Sequence, residues 1–202
     1  MADVNLAIIY YSSTGTVHGM AERLAEAGQK AGAEVRLRQV PELAPAEAIA
    51  SNAAWSQHYD RTKDEPRANA DDVVWADAVL FGTPTRYGNV ASQLKQFLDT
   101  LGPQWMQGLL ADKVYAGFTA SMTAHGGQES TLLALYNTIH HFGGIVAAPG
   151  YTDPLKFADG NPYGVSHVTG GNNSDPLTSV QDAALDHMAQ RVIHIAGRLK
   201  AA

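Results

Sequence analysis

Short apolar runs alternate along the chain with stretches of helical periodicity. Runs at residues 4–11, 34–40, 78–82, 114–118 and 145–148 are typical of strands, and the second of them alternates apolar with charged positions as a half-exposed strand near a sheet edge would. Between these runs, apolar side chains recur three or four residues apart, which predicts helices. The pattern favours an α/β fold with a doubly wound parallel sheet and right-handed crossovers.

Four amphipathic helices are predicted from this spacing. The first ends near Gly32, and the last occupies the C-terminal part of the chain. The apolar positions that define them, in chain order, are Val17, Met20, Ala21, Leu24 and Ala25; Val90, Leu94, Phe97, Leu98 and Leu101; Leu132, Leu133, Tyr136 and Ile139; and Leu185, Met188, Val192, Ile195 and Leu199.

Two polar segments interrupt the alternation. Residues 41–74 contain prolines and a charged run, and their alanine-rich part predicts one short helix at residues 45–55. Residues 149–176 are rich in Gly, Pro and Asn. Since long loops are unusual inside a compact unit, residues 41–74 are interpreted as an inserted lid or interface element. Both segments are assigned to one domain that spans residues 1–202.

Small polar residues follow three of the predicted strands. The loops at residues 12–16, 83–89 and 119–129 are rich in hydroxyl side chains or glycine, and each leads into a helix. Because the carboxyl ends of parallel strands share one edge of the sheet, these loops are expected to form a single site. Helix N-termini bind anions through free N–H groups, so the first loop predicts an anion site; capping its own helix is the alternative for that loop alone.

The absence of several known motifs reduces the number of possible ligands and sites. The first loop lacks the lysine of GxxxxGK[ST] and is not a GxGxxG loop, so a monophosphate held by neutral donors is favoured over a triphosphate or a dinucleotide. Neighbouring His140 and His141 would point in different directions on a helix, and HEXXH is absent, so no metal site is predicted. GxSxG is also absent, which gives no support to a serine hydrolase.

Composition excludes several partner classes. The net charge of the 202 residues is -6 and no basic cluster stands out, so nucleic acid or an anionic membrane is not expected as a partner. A bilayer-spanning apolar run and a secretory signal pattern are both missing, which predicts a cytoplasmic protein. With no cysteine, redox chemistry would have to belong to a cofactor.

These loops resemble those of a known family. SSTGTV at residues 12–17 is similar to the phosphate loop of flavodoxin-like proteins. FGTPTRYGN at residues 81–89 and HGGQE at residues 125–129, followed by the two histidines, resemble the WrbA-type NAD(P)H:quinone oxidoreductases. The chain departs from that family in the length of residues 41–74 and in Thr14, where some members have tyrosine.

The resemblance implies a flavodoxin-like fold with a five-stranded parallel sheet in the order 2-1-3-4-5 and helices on both faces. It also implies bound FMN, NADH or NADPH as the hydride donor, a quinone as the acceptor in a ping-pong reaction, and a homotetramer. Two alternatives remain open from the sequence. One is a flavodoxin-type one-electron carrier, and the other is a non-catalytic binding or regulatory module on the same fold.

The resemblance also assigns site residues. The FMN phosphate would be held by Ser12, Ser13, Thr14, Gly15, Thr16 and Val17. The flavin ring would lie along Pro84, Thr85, Arg86, Tyr87, Gly88 and Asn89, and the ribityl chain and ring would be bordered by Ala120, Ser121, Met122, Thr123, Ala124, His125 and Gly126. His140 would reach the flavin from the next helix, and the substrate pocket would be walled by Trp105 and Tyr87. No catalytic proton donor is assigned, because the flavin would carry the chemistry.

Overall fold

A six-stranded parallel sheet forms the centre of the fold in the computed structural model, which describes residues 3–201. Its strands run in the order β2-β1-β3-β4-β5, and β6 also pairs with β4. This confirms the predicted order, and it confirms β2 as an edge strand. The strands are β1 (Asn5–Tyr10), β2 (Glu34–Gln39), β3 (Ala78–Pro84), β4 (Val114–Ser121), β5 (Ile145–Val146) and β6 (Val165–Val168).

Helices cover both faces of this sheet, as the sequence predicts. Helices α1 and α9 pack on one face, and α4, α5 and α7 pack on the other. The bounds are α1 (Thr16–Lys30), α2 (Ala46–Ala50), α3 (Ala53–Thr62), α4 (Ala70–Trp75), α5 (Ser92–Asp99), α6 (Gly102–Met106), α7 (Gln128–Phe142), α8 (Leu155–Asp159) and α9 (Ser179–Lys200). Within residues 3–201, no helix has the length and apolar character needed to cross a membrane.

Strand periodicity divides the apolar side chains between two cores. In β1, Leu6 and Ile8 face α1 and α9, whereas Ala7 and Ile9 face the α5 and α7 layer. All four side chains are fully buried. Burying a leucine or isoleucine contributes roughly 1.5–3 kcal/mol, so both faces of this strand hold it in the middle of the sheet and fix where its carboxyl end opens.

The prediction of one helix at residues 45–55 is wrong. Two helices, α2 and α3, form there and are separated by Ser51 and Asn52. The side-chain oxygen of Asn52 accepts the backbone N–H of Trp55 at 3.1 Å, so Asn52 caps a new helix instead of continuing the first. A third helix, α4, precedes β3 and begins with a capping box formed by Asn69 and Asp72.

The fifth strand is shorter than predicted, because two separate pieces of chain fill its place. Only Ile145 and Val146 pair with the start of β4, whereas β6 pairs with the other end of β4, from Phe118 to Ser121. Residues 147–164 leave the sheet between the two pieces and include α8. The predicted loop at residues 149–176 therefore contains a helix and a strand. Its four-residue strand was hidden by the surrounding Gly, Pro and Asn residues.

Candidate functional site

The carboxyl ends of β1, β3 and β4 open into one cavity of about 450 Å³. This volume lies within the usual range for sites that hold small molecules and cofactors. Its walls come from the three predicted loops, from α3 and from the loop that follows β6. The lining residues are Ser12, Ser13, Thr14, Thr16, Val17, Asn52, Trp55, Pro84, Thr85, Arg86, Ala120, Ser121, Met122, Thr123, Gly126, Thr169 and Asn173.

The first loop joins β1 to the N-terminus of α1. Gly15 has φ +106°, a left-handed conformation that lets the chain turn sharply into the helix, and its N–H donates to Ser12 Oγ at 3.1 Å. No side chain among the described residues caps α1. The N–H groups of the first turn and the hydroxyls of Thr14 and Thr16 are thus suited to bind an anion in the cavity.

The second loop is a tight turn, and its Arg86 side chain contacts the first loop. Tyr87 and Gly88 have φ +53° and +76°, and the backbone groups of Arg86 and Asn89 bond to each other across the turn. One guanidinium N–H of Arg86 donates to Ser13 Oγ at 3.3 Å. Arg86 is exposed, and this hydrogen bond places its positive charge beside the first loop.

The third loop is held by its own hydrogen bonds and by close contact with the second loop. Ser121 Oγ and the Gly126 N–H both donate to the carbonyl oxygen of Thr123, at 2.8 and 3.0 Å. A Cβ added to Gly127 would lie 2.9 Å from the Gly88 Cα, so the two loops approach as closely as glycine permits. The HGGQE motif thus serves both the close packing of the loops and the start of α7.

Helix α3 supplies a wall that the sequence did not predict. Asn52 and Trp55 line the cavity, and the indole Nε1 of Trp55 donates to Glu42 Oε2 at 2.9 Å. Glu42 also accepts hydrogen bonds from Tyr11 and Gln93. Although burial opposes the charged form of Glu42, hydrogen bonds from Ala44, Gln93, Tyr11 and Leu43 lower its pKa, so Glu42 is a carboxylate at neutral pH.

Two buried histidines lie beneath the first loop. The rings of His18 and His58 meet edge to face with their centroids 5.2 Å apart, and His18 Nδ1 lies 2.6 Å from the hydroxyl of Tyr10. Burial, with the charges of His18 and Arg61 nearby, lowers the pKa of His58 to about 4. His58 is consequently neutral at pH 7, and the Arg61 guanidinium beside it lies 3.5 Å from the position of a Cβ on Gly15.

The loop after β6 closes the remaining side of the cavity. Asn173 donates from Nδ2 to Thr14 Oγ1 at 3.0 Å and accepts from Thr169 Oγ1 at 2.6 Å. Thr169 also donates its backbone N–H to the Ser121 carbonyl at 2.8 Å. This chain of hydrogen bonds connects the loop after β6 to both the first and the third loop.

Comparison with known proteins identifies the family. The family model described as NADPH-dependent FMN reductase matches residues 5–152. This chain belongs to that family. A curated relative named NAD(P)H dehydrogenase (quinone), from Deinococcus radiodurans, is 45% identical over 199 residues and covers 98% of each chain. Another of the same name, from Sinorhizobium fredii, is 39% identical and covers 95% of this chain and 96% of its own. The resemblance noted from the sequence is confirmed.

Solved structures agree on the fold of this FMN reductase family member. A crystal structure of a flavodoxin, WrbA-like protein from Agrobacterium tumefaciens has a TM-score of 0.63 at 23% identity, and the match covers 97% of this chain and 99% of the other. At this level of identity the likeness concerns the fold alone. It confirms the flavodoxin-like fold predicted from the sequence.

The structure brings most of the assigned residues of this family member to the cavity, but not all. Gly15 shapes the first loop without lining the cavity, and Tyr87 is fully exposed. His140 lies in the last turn of α7, at the opposite edge of the sheet, and the indole N–H of Trp105 donates to the neighbouring His141 carbonyl at 2.7 Å. The assigned residues outside the cavity lining are Gly15, Tyr87, Gly88, Asn89, Trp105, Ala124, His125 and His140.

Four lining residues were missed by the sequence reasoning: Asn52, Trp55, Thr169 and Asn173. Asn52 and Trp55 belong to the segment between β2 and α4, and Thr169 and Asn173 to the segment after β6. The cluster TGGNNSD after an apolar run was the one signal of a further strand-end loop. For Trp55, no local signal distinguishes a cavity wall from ordinary packing.

Proposed function

We propose that this protein is an FMN-dependent NAD(P)H:quinone oxidoreductase that reduces quinones to hydroquinones by two electrons. The observation that carries the proposal is the agreement of two findings. A relative named NAD(P)H dehydrogenase (quinone) matches 98% of this chain at 45% identity. A cavity at the carboxyl edge of the sheet also has the polar donors that a phosphate-bearing cofactor needs.

The donor set fits FMN better than a nucleotide triphosphate. Hydroxyls of Ser12, Ser13, Thr14 and Thr16 and the uncapped N-terminus of α1 would hold a dianionic monophosphate, with Arg86 and Arg61 nearby as partial counter-charge. No lysine stands among the described residues that line the cavity, in contrast to a triphosphate P-loop.

The protein would bind and orient the reactants. When bound, FMN supplies the hydride acceptor and the two-electron donor. Thr85 is positioned for the ring side of the site, since its N–H donates to Ala120 O at 2.9 Å and its Oγ1 accepts from Thr131 at 2.8 Å. Arg86, which also borders the cavity, would stabilise negative charge that develops near the ring. The nicotinamide donor and the quinone would use the same place in turn, which gives ping-pong kinetics.

The visible spectrum with FMN and a reductive titration separate this function from its two alternatives. We expect protein incubated with FMN and dialysed to keep a perturbed flavin spectrum, and NADH or NADPH to convert it directly to the fully reduced form. Large accumulation of a stable one-electron form, without NAD(P)H-dependent turnover of benzoquinone, would favour the electron carrier. A colourless protein after incubation would contradict both redox functions.

We also propose that the active assembly is a homotetramer, as the resemblance implies. Large apolar side chains are exposed on this chain, among them Tyr87, Met106 and Phe157. Since Trp105 and His140 lie far from the cavity of their own chain, their assigned roles would require the cavity of a neighbouring subunit. Sedimentation of the FMN complex tests this, and a monomer with full quinone reductase activity would contradict it. A cytoplasmic location stays a prediction.

A further inference from the structure

One aromatic side chain lines the cavity among the described residues, and it comes from the inserted segment at residues 41–74. This side chain is Trp55. Tyr87, which the resemblance assigned to the flavin ring and the substrate pocket, is fully exposed, and Trp105 lies at the opposite edge of the sheet. Trp55 and Arg86 also line a second cavity of about 630 Å³ beside the first, so the indole lies where the two spaces meet.

Hydrogen bonds hold both the backbone and the indole ring of Trp55 in place. Its backbone N–H donates to the Asn52 side chain at 3.1 Å, and its ring N–H donates to Glu42 at 2.9 Å. With the polar edge of the ring engaged in this way, the apolar ring is left to contact a flat ligand.

Glu42 connects Trp55 to the body of the protein. Its carboxylate accepts Tyr11 Oη at 2.8 Å, from the residue directly before the first loop, and Gln93 Nε2 at 2.7 Å, from α5. The backbone N–H groups of Leu43 and Ala44 donate to it at 2.8 and 3.0 Å. One carboxylate therefore sets the position of α3 relative to β1 and α5.

We propose that Trp55 binds the flat ring of the cofactor and that Glu42 is the positioning residue that holds Trp55 against the cavity. This inference rests on the proposed FMN function and deepens it, because it adds an aromatic wall from a segment in which the resemblance assigns no FMN-binding residue. Offset contact between aromatic rings is favourable beyond simple burial. Loss of that contact is expected to weaken FMN binding about three- to tenfold.

Tryptophan fluorescence during FMN titration tests the contact directly. The chain has 3 tryptophans, and Trp75, whose ring packs under the Arg36 guanidinium at 4.0 Å, serves as the matched control. FMN is expected to quench a smaller fraction of the tryptophan emission in Trp55→Phe than in the wild type. In Trp75→Phe, the quenched fraction should be at least as large as in the wild type. In Trp55→Leu, the Kd for FMN should rise about three- to tenfold.

The role of Glu42 is tested in two backgrounds. Glu42→Gln should raise the Kd for FMN when Trp55 is present. In the Trp55→Leu protein it should cause no further rise in that Kd, because Glu42 acts on FMN only by positioning the indole. An equal loss of affinity in both backgrounds would mean that Glu42 acts on the fold generally, and would overturn its role as a positioning residue.

Two outcomes would overturn the role of Trp55. One is unchanged FMN affinity in Trp55→Leu together with unchanged quenching in Trp55→Phe. The other is a raised KM for benzoquinone or NADH while the Kd for FMN stays at the wild-type value, since Trp55 would then contact the substrate. If Trp55→Leu does not fold, the quenching in Trp55→Phe decides. Failure of the wild type to bind FMN would instead contradict the proposed function itself.

Discussion

The cavity has two kinds of wall, and they depend on the sequence in different ways. One kind is made by the strand-end loops, which we define as residues 12–15, 85–91 and 122–127 between β1, β3 and β4 and the helices that follow them. The other kind is made by the outer segments, which we define as residues 41–74 and 147–178. The positions of the strand-end loops are fixed by the sheet strands that they follow. The outer segments reach the cavity only through contacts with residues that are distant in the sequence.

This difference shows where a local pattern suffices to locate a functional residue. Thr14 lies in the short loop between β1 and α1, so the buried strand fixes its place at the edge of the sheet. Trp55 reaches the same cavity because Glu42, 13 residues earlier, bonds to its indole. A contact of that kind depends on the packing of whole elements. Mutations should therefore affect the loops mainly in ligand binding, and the outer segments in stability as well.

The largest effect is expected in an outer segment, at Lys156. This side chain is fully buried, and its Nζ donates to the buried Asp159 carboxylate and, at 3.0 Å, to the carbonyl oxygen of Gly164 just before β6. Lys156→Met leaves Asp159 buried without its cation, which should lower the free energy of unfolding by about 3–5 kcal/mol in urea denaturation.

The matched control for this substitution is the double variant Lys156→Met with Asp159→Leu. It should recover much of the lost stability, because an apolar pair of similar volume replaces the ion pair. Equal stability of wild type and single variant would show that this outer segment does not depend on the buried pair.

The next effect concerns pH and His58, beneath the first loop. The pKa of His58 is about 4 in the folded protein and 6.5 for a free histidine. Between these two pH values, the unfolded chain therefore binds a proton at His58 and the folded protein does not. The stability gained from neutral His58 is complete above about pH 6.5 and is lost as the pH falls toward 4, by up to roughly 3 kcal/mol.

Urea unfolding at several pH values measures this contribution. His58→Gln should flatten the fall in stability between pH 6.5 and 4 relative to the wild type, whereas His194→Gln, at an exposed position on α9, should leave it unchanged. Parallel curves for wild type and His58→Gln would mean that burial of His58 does not lower its pKa.

A smaller free-energy change, confined to ligand binding, is expected in the first loop. Replacing both Thr14 and Thr16 by valine removes two hydroxyls from the proposed phosphate side of the cavity and keeps the shape of the side chains. The Kd for FMN should rise about 10- to 100-fold, since a net contribution of about 0.7–1.4 kcal/mol from each of the two hydrogen bonds sums to about 1.4–2.7 kcal/mol.

Equilibrium titration with FMN measures this change, and the melting temperature of the apoprotein should stay near the wild-type value. Thr100→Val, just after α5 and outside the cavity, is the control that should bind FMN normally. Unchanged affinity in the double variant would mean that the phosphate site has been placed wrongly.

The smallest effect is expected at Asn173, where an outer segment bonds to a strand-end loop. Asn173 has φ +53°, so Asn173→Gly keeps the backbone conformation and removes only the hydrogen bonds to Thr14 and Thr169. FMN affinity should fall about two- to fivefold, because one orienting hydrogen bond contributes roughly 0.5–1 kcal/mol. Asn172→Gly, at the exposed neighbouring position, should bind as the wild type does.

Much of the fold and the inner part of the site could be predicted from the sequence. The strands are short and strongly apolar, and a strand such as β4 is buried along its whole length, so its pattern is unambiguous. The loops after β1, β3 and β4 carry glycine and hydroxyl residues whose conformations and donors are local properties, as Gly15 illustrates.

The rest could not be predicted, because it depends on contacts between distant parts of the chain. Strand β6 has only four residues, and its place beside Phe118 and Ser121 becomes available only because β5 is so short. From the sequence, Asn52 is equally compatible with a position inside a helix and with a helix N-cap. The packing of α3 against the first loop decides between these two positions. The positions of Trp105 and His140 depend on where α6 and α7 end.

The most direct test of the central claim is steady-state oxidation of NADH and NADPH with and without FMN and benzoquinone. We predict that both FMN and the quinone are needed for rapid turnover, that one hydroquinone forms for each NAD(P)H oxidised, and that double-reciprocal plots are parallel, as ping-pong exchange requires. Absence of quinone-dependent NAD(P)H oxidation by the FMN-loaded protein would contradict the account.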